Sequence, residues 1–347
     1  MPHLQEPPPS FRHSFGQSGS YGNFFKKQDG DYRPMKTSII VGSDGQDGRI
    51  AFELLSARGD RVLGIDLHGV RSSGVSWDRP VDITKKDDVA ALLGATKPDE
   101  VYYLAAYHHS SEDRVPDDVE LFEKSDAINV SGLLFFLEGI RANALRTRLF
   151  YAASSLIFGA ADSAIQDENT PFAPDTIYGI SKLSGLLLCR HYRAQRNVFV
   201  ATGILYNHES PYRGANFISK KIIKAAVHIS QGRADPLVLG DLNAEIDWGY
   251  APDYVEAMTR ILEHERADDF IIASGIKHSV RDFVEIAFGY LGLDWKKHVR
   301  EVPGVVTRTR KVLVGNPGKL MRTTGWQPMV DFRGMIKILL QAEGASV

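Results

Sequence analysis

The chain has 347 residues, 43% hydrophobic and 24% charged, enough for one large or two moderate globular cores. Its net charge of −2 offers no basic field for nucleic acid or an anionic membrane. The single cysteine, Cys189, excludes an internal disulfide and any cysteine-cluster metal site, and the neighbouring Leu186, Leu187 and Leu188 mark a buried helix position rather than a nucleophile.

Residues 1–36 carry Pro7-Pro8-Pro9, several Ser and Gly, and no apolar periodicity. They are expected to form a disordered arm or, through Phe11, Phe15, Phe24 and Phe25, an arm that packs on another subunit. No apolar stretch has the length of a bilayer span and no signal-peptide region opens the chain, so the expected compartment is the cytoplasm.

From residue 37 short β-rich runs alternate with longer helical ones. Strands are expected at 38–42, 61–66, 100–104, 147–153 and 198–203, and helices at 47–58, 85–94, 118–143, 178–195 and 216–231. Alternation with nearly all-apolar strands implies an α/β fold, a Rossmann-type doubly wound parallel sheet covered on both faces. The cofactor domain is expected over 37–205, and a smaller substrate-binding portion, with some chain returning to the sheet, over 206–347.

The first strand runs into Gly42-Ser43-Asp44-Gly45-Gln46-Asp47-Gly48, and a helical pattern follows. Small residues there let the backbone and a helix N-terminus approach a pyrophosphate, so Gly42, Gly45, Gln46, Asp47 and Gly48 are candidate cofactor residues. The second strand ends in Asp66, whose carboxylate would accept hydrogen bonds from a ribose 2′-hydroxyl and repel a 2′-phosphate, favouring NAD over NADP. Asp82 and Ile83 are candidates for holding the adenine, and Leu104, Ala105 and Ala106 for close backbone approach to the cofactor.

Tyr178 and Lys182 stand four residues apart on one expected helix and share a face. A lysine ammonium beside a phenol stabilises the phenolate, which would let Tyr178 act as a general base near neutral pH. His108 and His109, after the Ala105-Ala106 turn, form a rim pair that titrates in the range useful to a further acid or base. No histidine and carboxylate set has metal-ligand spacing, so no metal is expected, and no Gly-x-Ser-x-Gly nucleophile elbow occurs.

Further stretches carry a resemblance: Pro98-Asp99-Glu100-Val101-Tyr102-Tyr103, Asn207-His208-Glu209-Ser210-Pro211, Asp247-Trp248-Gly249, Asp253-Tyr254-Val255-Glu256-Ala257-Met258 and His278-Ser279-Val280-Arg281. With the glycine turn and the Tyr-Lys pair, they resemble the extended short-chain dehydrogenase/reductase superfamily and, within it, are most similar to the GDP-mannose 4,6-dehydratase family. The resemblance implies an NAD-dependent enzyme of nucleotide-sugar metabolism, serving polysaccharide biosynthesis. It implies that Tyr178 removes the sugar O4 proton while NAD takes the C4 hydride, with Ser154 hydrogen-bonded to the reacting oxygen. It also implies substrate contacts from His108, Ser155, Asn207, Arg213, Asn216, Lys220, Leu239, Arg281 and Arg308, the arginines and Lys220 being suited to a diphosphate. Relatives pair the helices at 118–143 and 178–195 into a four-helix bundle, so a homodimer is expected, with a tetramer if the aromatic arm extends it.

Departures from the family pattern redirect the chemistry. The carboxylate that the dehydratases place two residues after the Ser154 position is Leu156, which cannot exchange a proton. The arginine before Asp-Trp-Gly is Ile246, and the Arg-Pro-x-Glu segment reads Val306-Thr307-Arg308-Thr309. The first reading is therefore oxidation at C4 of a nucleoside-diphosphate sugar with net dehydrogenation, ketoreduction or epimerisation. The alternatives are a 4,6-dehydratase with a non-standard acid and base drawn from Ser155, His108 or Glu168, and a non-catalytic NAD-binding regulatory protein.

Overall fold

The computed structural model describes residues 34–107, 117–159, 161–233, 236–302 and 312–347. The expected arm before residue 34, His108, His109 and Arg308 lie outside them.

The first half alternates as the periodicities require: β1 (Thr37–Val41), α1 (Gln46–Ala57), β2 (Arg61–Asp66), β3 (Gly69–Ser73), α2 (Lys86–Thr96), β4 (Glu100–Tyr103), α3 (Asp118–Asp126), α4 (Leu133–Ala142), β5 (Arg148–Ser154), α5 (Ile177–Arg196) and β6 (Val200–Leu205). Every residue of β1 and β4 is buried, the signature of strands covered on both faces. The helix expected over 118–143 is broken in register by a π-helical turn at Ala127–Gly132, which keeps the axis but widens the ring of hydrogen bonds.

Beyond β6 come β7 (Asn207–Glu209), α6 (Ile218–Ser230), β8 (Leu237–Leu239), β9 (Glu245–Tyr250), α7 (Ala251–Glu263), β10 (Asp269–Ile272), β11 (Lys277–Ser279), α8 (Val280–Tyr290), β12 (Val299–Glu301), α9 (Gly318–Thr324) and α10 (Phe332–Ala342). The main sheet has seven strands in the order β10-β6-β5-β4-β1-β2-β3. All its pairings are parallel except β2 with β3, where Asp66 pairs with Gly69 and only Leu67 and His68 make the turn. Gly69 at φ +125 supplies a backbone angle that a side chain would resist. The sheet is thus not wholly parallel, and β3 is its antiparallel edge.

Two cores cover the sheet's faces, one built on α2, α4 and α5, the other on α1 and α7. A third core, around Trp248, Phe283 and Phe332, joins α6, α8, α10 and the small strands. β10 and α7 are the segments that return from the second half to the main sheet. Several stretches behind the resemblance serve this architecture. Buried Asp247 accepts hydrogen bonds from Ser274 (N and Oγ), Gly275 N and Gly315 N, tying three segments together. Ser279 and Asp282 form a reciprocal capping box at the start of α8.

Candidate active site

The glycine turn sits where the first crossover leaves the sheet, between β1 and α1. A Cβ on Gly42 would lie 2.6 Å from Ala105 N, and one on Gly48 would lie 2.1 Å from Gly42 O, so both positions exclude any side chain. Gly45, by contrast, meets only Gly42 O at 3.4 Å, and as the N-cap of α1 it provides no side-chain cap for the helix's first N–H groups. An open helix N-terminus above a close-packed glycine floor fits a dinucleotide pyrophosphate. Ala105 packs directly under Gly42, and Leu104 N donates to Val41 O, 2.9 Å away. Ala106 is exposed beyond them.

Asp66 closes β2 beside this turn. Its carboxylate accepts from Asp44 N at 2.8 Å and from Leu67 N at 2.7 Å, which aims it at the turn. Arg71 on β3 reaches back to Ser43 O at 2.7 Å and stacks 4.1 Å from the Phe52 ring, bracing the turn from outside. Asp82 accepts from Thr84 N and Oγ, and these hydrogen bonds hold its pKa below the usual carboxylate value. Ile83 packs against the core beneath.

The side chains of Gln46 and Asp47 are both engaged within the fold. Asp47 forms a two-oxygen contact with His208 Nε2, at 2.9 and 3.0 Å, while His208 Nδ1 lies 2.6 Å from Tyr206 O. Gln46 donates to His208 O at 3.0 Å and accepts from Ser210 Oγ at 2.8 Å. The first turn of α1 abuts β7, so these side chains lock the glycine turn to the Asn207–Ser210 segment. Both ring nitrogens of His208 face acceptors, which favours the imidazolium. Burial pushes its pKa down, but the Asp47 charge and hydrogen bond outweigh that and leave it raised. Asp47 is likewise pushed up by burial yet ends below its usual value because of His208. His208 belongs to a stretch that carries the resemblance but is not a candidate site residue in the sequence, since no spacing rule pairs positions so far apart.

Ser154 ends β5 and Tyr178 opens α5. Ser154 caps the short helix Ser155–Ile157, accepting from Leu156 N at 3.2 Å, and its hydroxyl also hydrogen-bonds Tyr178. Thr176 caps α5 by accepting from Gly179 N at 3.0 Å, and Gly179 fits because a Cβ there would lie 2.6 Å from Leu156 O. Leu156 therefore stands against the first turn of the helix that carries Tyr178. Ser155 is buried beside it.

Lys182 is 1% exposed; its Nζ donates to Ala152 O at 2.8 Å and lies 5.8 Å from the centre of the Tyr178 ring. Burial lowers its pKa to about 7. Burial raises that of Tyr178 well above its usual range, more than Arg213 and the Ser154 hydrogen bond bring it down. Tyr178 is thus protonated at rest, because burial disfavours the phenolate more than Arg213 and Ser154 favour it.

The expected substrate residues divide. Arg213 lies 3.2 Å from Glu209 and 3.6 Å over Phe217, at the mouth of the His208 segment. Asn207 and Asn216 are exposed near it in the chain. Lys220 is not a free phosphate ligand: it pairs with Glu343 at 2.6 Å. Leu239 is buried in the third core, the inward residue of a strand alternating buried, exposed, buried. Arg281 contacts Asn243 at 3.2 Å and lies 5.6 Å over Trp295. Glu168, weighed as a proton carrier, accepts from Ile271 N at 2.9 Å on the outer edge of β10, with β6 between that strand and β5. No metal-binding cluster occurs among the described residues, and none of their helices is long and apolar enough to cross a membrane.

A doubly wound sheet with a glycine cradle at its first crossover, and Ser, Tyr and Lys gathered at the end of β5, defines an enzyme of the short-chain dehydrogenase/reductase type. The family model for GDP-mannose 4,6 dehydratase matches residues 39–339. GDP-mannose 4,6 dehydratase 2 of Arabidopsis thaliana is 35% identical, with 89% of this chain and 87% of that protein aligned. The chain belongs to the GDP-mannose 4,6 dehydratase family. In fold it is similar to UDP-glucose 4-epimerase of Thermus thermophilus in complex with NAD, at TM-score 0.74 and 22% identity over 90% of this chain and all of the other. It is also similar to RMD of Pseudomonas aeruginosa complexed with NADPH, at TM-score 0.76 and 20% identity over 89% and 99% of the two chains.

Proposed function

We propose that this enzyme oxidises C4 of a nucleoside-diphosphate hexose, that the 4-keto sugar then loses water between C5 and C6, and that the resulting double bond regains the C4 hydride at C6 and a proton at C5, the net change of a 4,6-dehydratase. The observation that carries the first step is the convergence of Ser154, Tyr178 and Lys182; family membership supports the second. NAD, when bound on the glycine cradle, supplies the hydride acceptor. Tyr178 takes the O4 proton, Ser154 orients that oxygen, and Lys182 places positive charge beneath the phenol. Arg213, held by Glu209 and Phe217, is the proposed partner of the substrate's charged groups.

One observation favours a second reading in which no water is lost. Elimination needs a group to take the C5 proton and another to protonate the leaving hydroxyl, and Leu156 does neither from the position it occupies beside α5. Glu168, at the sheet edge, is poorly placed to substitute, and Ser155 and His108 are the remaining candidates. Mass spectrometry of the product decides between the readings. Dehydration predicts a product lighter by one water, and a product of unchanged mass, or one lighter only by two hydrogens, establishes epimerisation or dehydrogenation instead.

Asp66 should make NAD the preferred cofactor. Titration of wild type and Asp66→Ala with NAD and NADP is expected to show a wild-type preference for NAD that narrows in the variant, because a carboxylate repels the 2′-phosphate. A wild-type preference for NADP would remove Asp66 from the site.

A homodimer through helices α3 and α5 is part of the same proposal. Val119 and Phe122 on the first, and Ile180 and Leu187 on the second, are exposed apolar residues. Burying them against a two-fold copy as a four-helix bundle is the expected assembly. Light scattering at micromolar concentration should give at least twice the chain mass, and a monomer would count against the bundle.

A further inference from the structure

Lys182 is held by more than its helix. Among the described residues its ammonium, almost wholly buried, has a single hydrogen-bond acceptor, Ala152 O, and no carboxylate partner. An ammonium in that setting would ordinarily be driven neutral. The Tyr151 ring, on the neighbouring strand β5, lies with its centre 5.1 Å from Lys182 Nζ, nearer than the Tyr178 ring and within the range of cation–π attraction.

Tyr151 is itself fixed. Its hydroxyl lies 3.4 Å from both Asn129 O and Lys182 O, so the phenol spans from the π-helical turn to α5. Gly185, one position short of a full turn beyond Lys182, leaves the space that the hydroxyl fills: a Cβ there would stand 2.2 Å from Tyr151 Oη and 2.9 Å from Asn129 O. The ring therefore cannot swing away without displacing helix backbone. These contacts leave the ring's π-face as the part of Tyr151 available to Lys182.

We propose that Tyr151 is a positioning residue for the proposed oxidation at C4: its ring holds the Lys182 ammonium in its charged form between β5 and Tyr178. This rests on the reading of Tyr178 and Lys182 given above. Among the described residues, the titratable groups facing Lys182 are Tyr178 and Cys189 on its own helix and Tyr151 on β5, while Tyr103 on β4 stands behind Tyr151 at 6.2 Å between ring centres. Burial raises both Tyr151 and Cys189 above their usual values, so each stays neutral and the ring face, not a counter-charge, is what Lys182 meets. Lys182 must carry its proton to act, so its titration sets an alkaline limb in the pH profile of kcat/KM.

The test is that profile for wild type, Tyr151→Phe and Tyr151→Leu, with Tyr178→Phe as control. Tyr151→Phe keeps the ring and should keep the limb. Tyr151→Leu removes the π-face and should move the limb to lower pH by about one unit, the order expected from a desolvated cation–π contact. Should the leucine variant fail to fold, site-specific replacement of Tyr151 by phenylalanines of increasing fluorination alters the ring's electrostatics at nearly constant shape, and the limb should step downward with each fluorine. A limb that stays in place across that series, or in a folded leucine variant, overturns the proposal. An active Tyr178→Phe enzyme would instead overturn the reading of the site on which it rests.

Discussion

Tyr178→Phe should reduce turnover by at least the roughly 10²-fold typical of a lost general base, while NAD binding stays nearly unchanged. Phenylalanine keeps the ring that lies 5.8 Å from Lys182 Nζ and the helix start capped by Thr176, so the fold has no reason to change. What disappears is the hydroxyl that Ser154 orients. Because burial holds the free enzyme's phenol protonated, deprotonation is coupled to the presence of substrate and cofactor charge, and the loss should appear in kcat more than in KM. Steady-state kinetics with cofactor titration checks both halves, and near-normal turnover would refute the role.

Asp47→Ala should destabilise the fold by about 3–5 kcal/mol near pH 5–6, since it leaves a buried imidazolium without its partner. The effect depends on pH with a definite sign. His208 has a folded pKa raised above its ordinary 6.5, so its contribution is complete below that value and disappears as pH rises through the raised one. Asp47 has a folded pKa lowered below its ordinary 3.8, so its contribution is complete above that value and disappears as pH falls through the lowered one. The gap between wild type and variant should therefore be widest from about pH 4 to 6.5 and shrink on the alkaline side. Urea unfolding across pH measures it, and a gap that keeps growing above neutrality would mean that the pair is not charged as described.

Much of this architecture could be read from periodicity. The five strands expected from residue 37 to 231 form, as do four of the helices with ends shifted by only a few residues, and the helix expected over 118–143 forms in two parts around the π-helical turn. The antiparallel β3 was not legible, because Gly69-Val70-Arg71-Ser72-Ser73 has no apolar alternation and owes its place to a two-residue turn. Nor was the π-helical turn, since a change of hydrogen-bond ring leaves an apolar pattern almost untouched. At the site, the Tyr178 and Lys182 spacing was legible but its electrostatics were not: the balance turns on burial, which a four-residue spacing does not contain.

Long basic side chains were the least readable. Lys220 and Arg281 suit a diphosphate by chemistry alone, yet each finds a nearby partner in Glu343 or Asn243. Leu239 shows the converse, an apolar residue implied by resemblance to touch substrate but drawn into a core by strand alternation. Asp47 and Gln46 are legible as part of the glycine turn, and only the fold reveals that their side chains lock that turn to the His208 segment.

The most direct measurement follows the hydrogen on C4. Wild-type enzyme would be given NAD and a series of nucleoside-diphosphate hexoses labelled with deuterium at C4, and the label located in cofactor and product after partial turnover. With the substrate that turns over, deuterium is expected to leave C4, to be detected on the nicotinamide during the reaction, and to do so more slowly than protium. Deuterium that remains on C4 through complete conversion, with no label ever reaching the nicotinamide, would contradict oxidation at C4 and with it the role assigned to Tyr178.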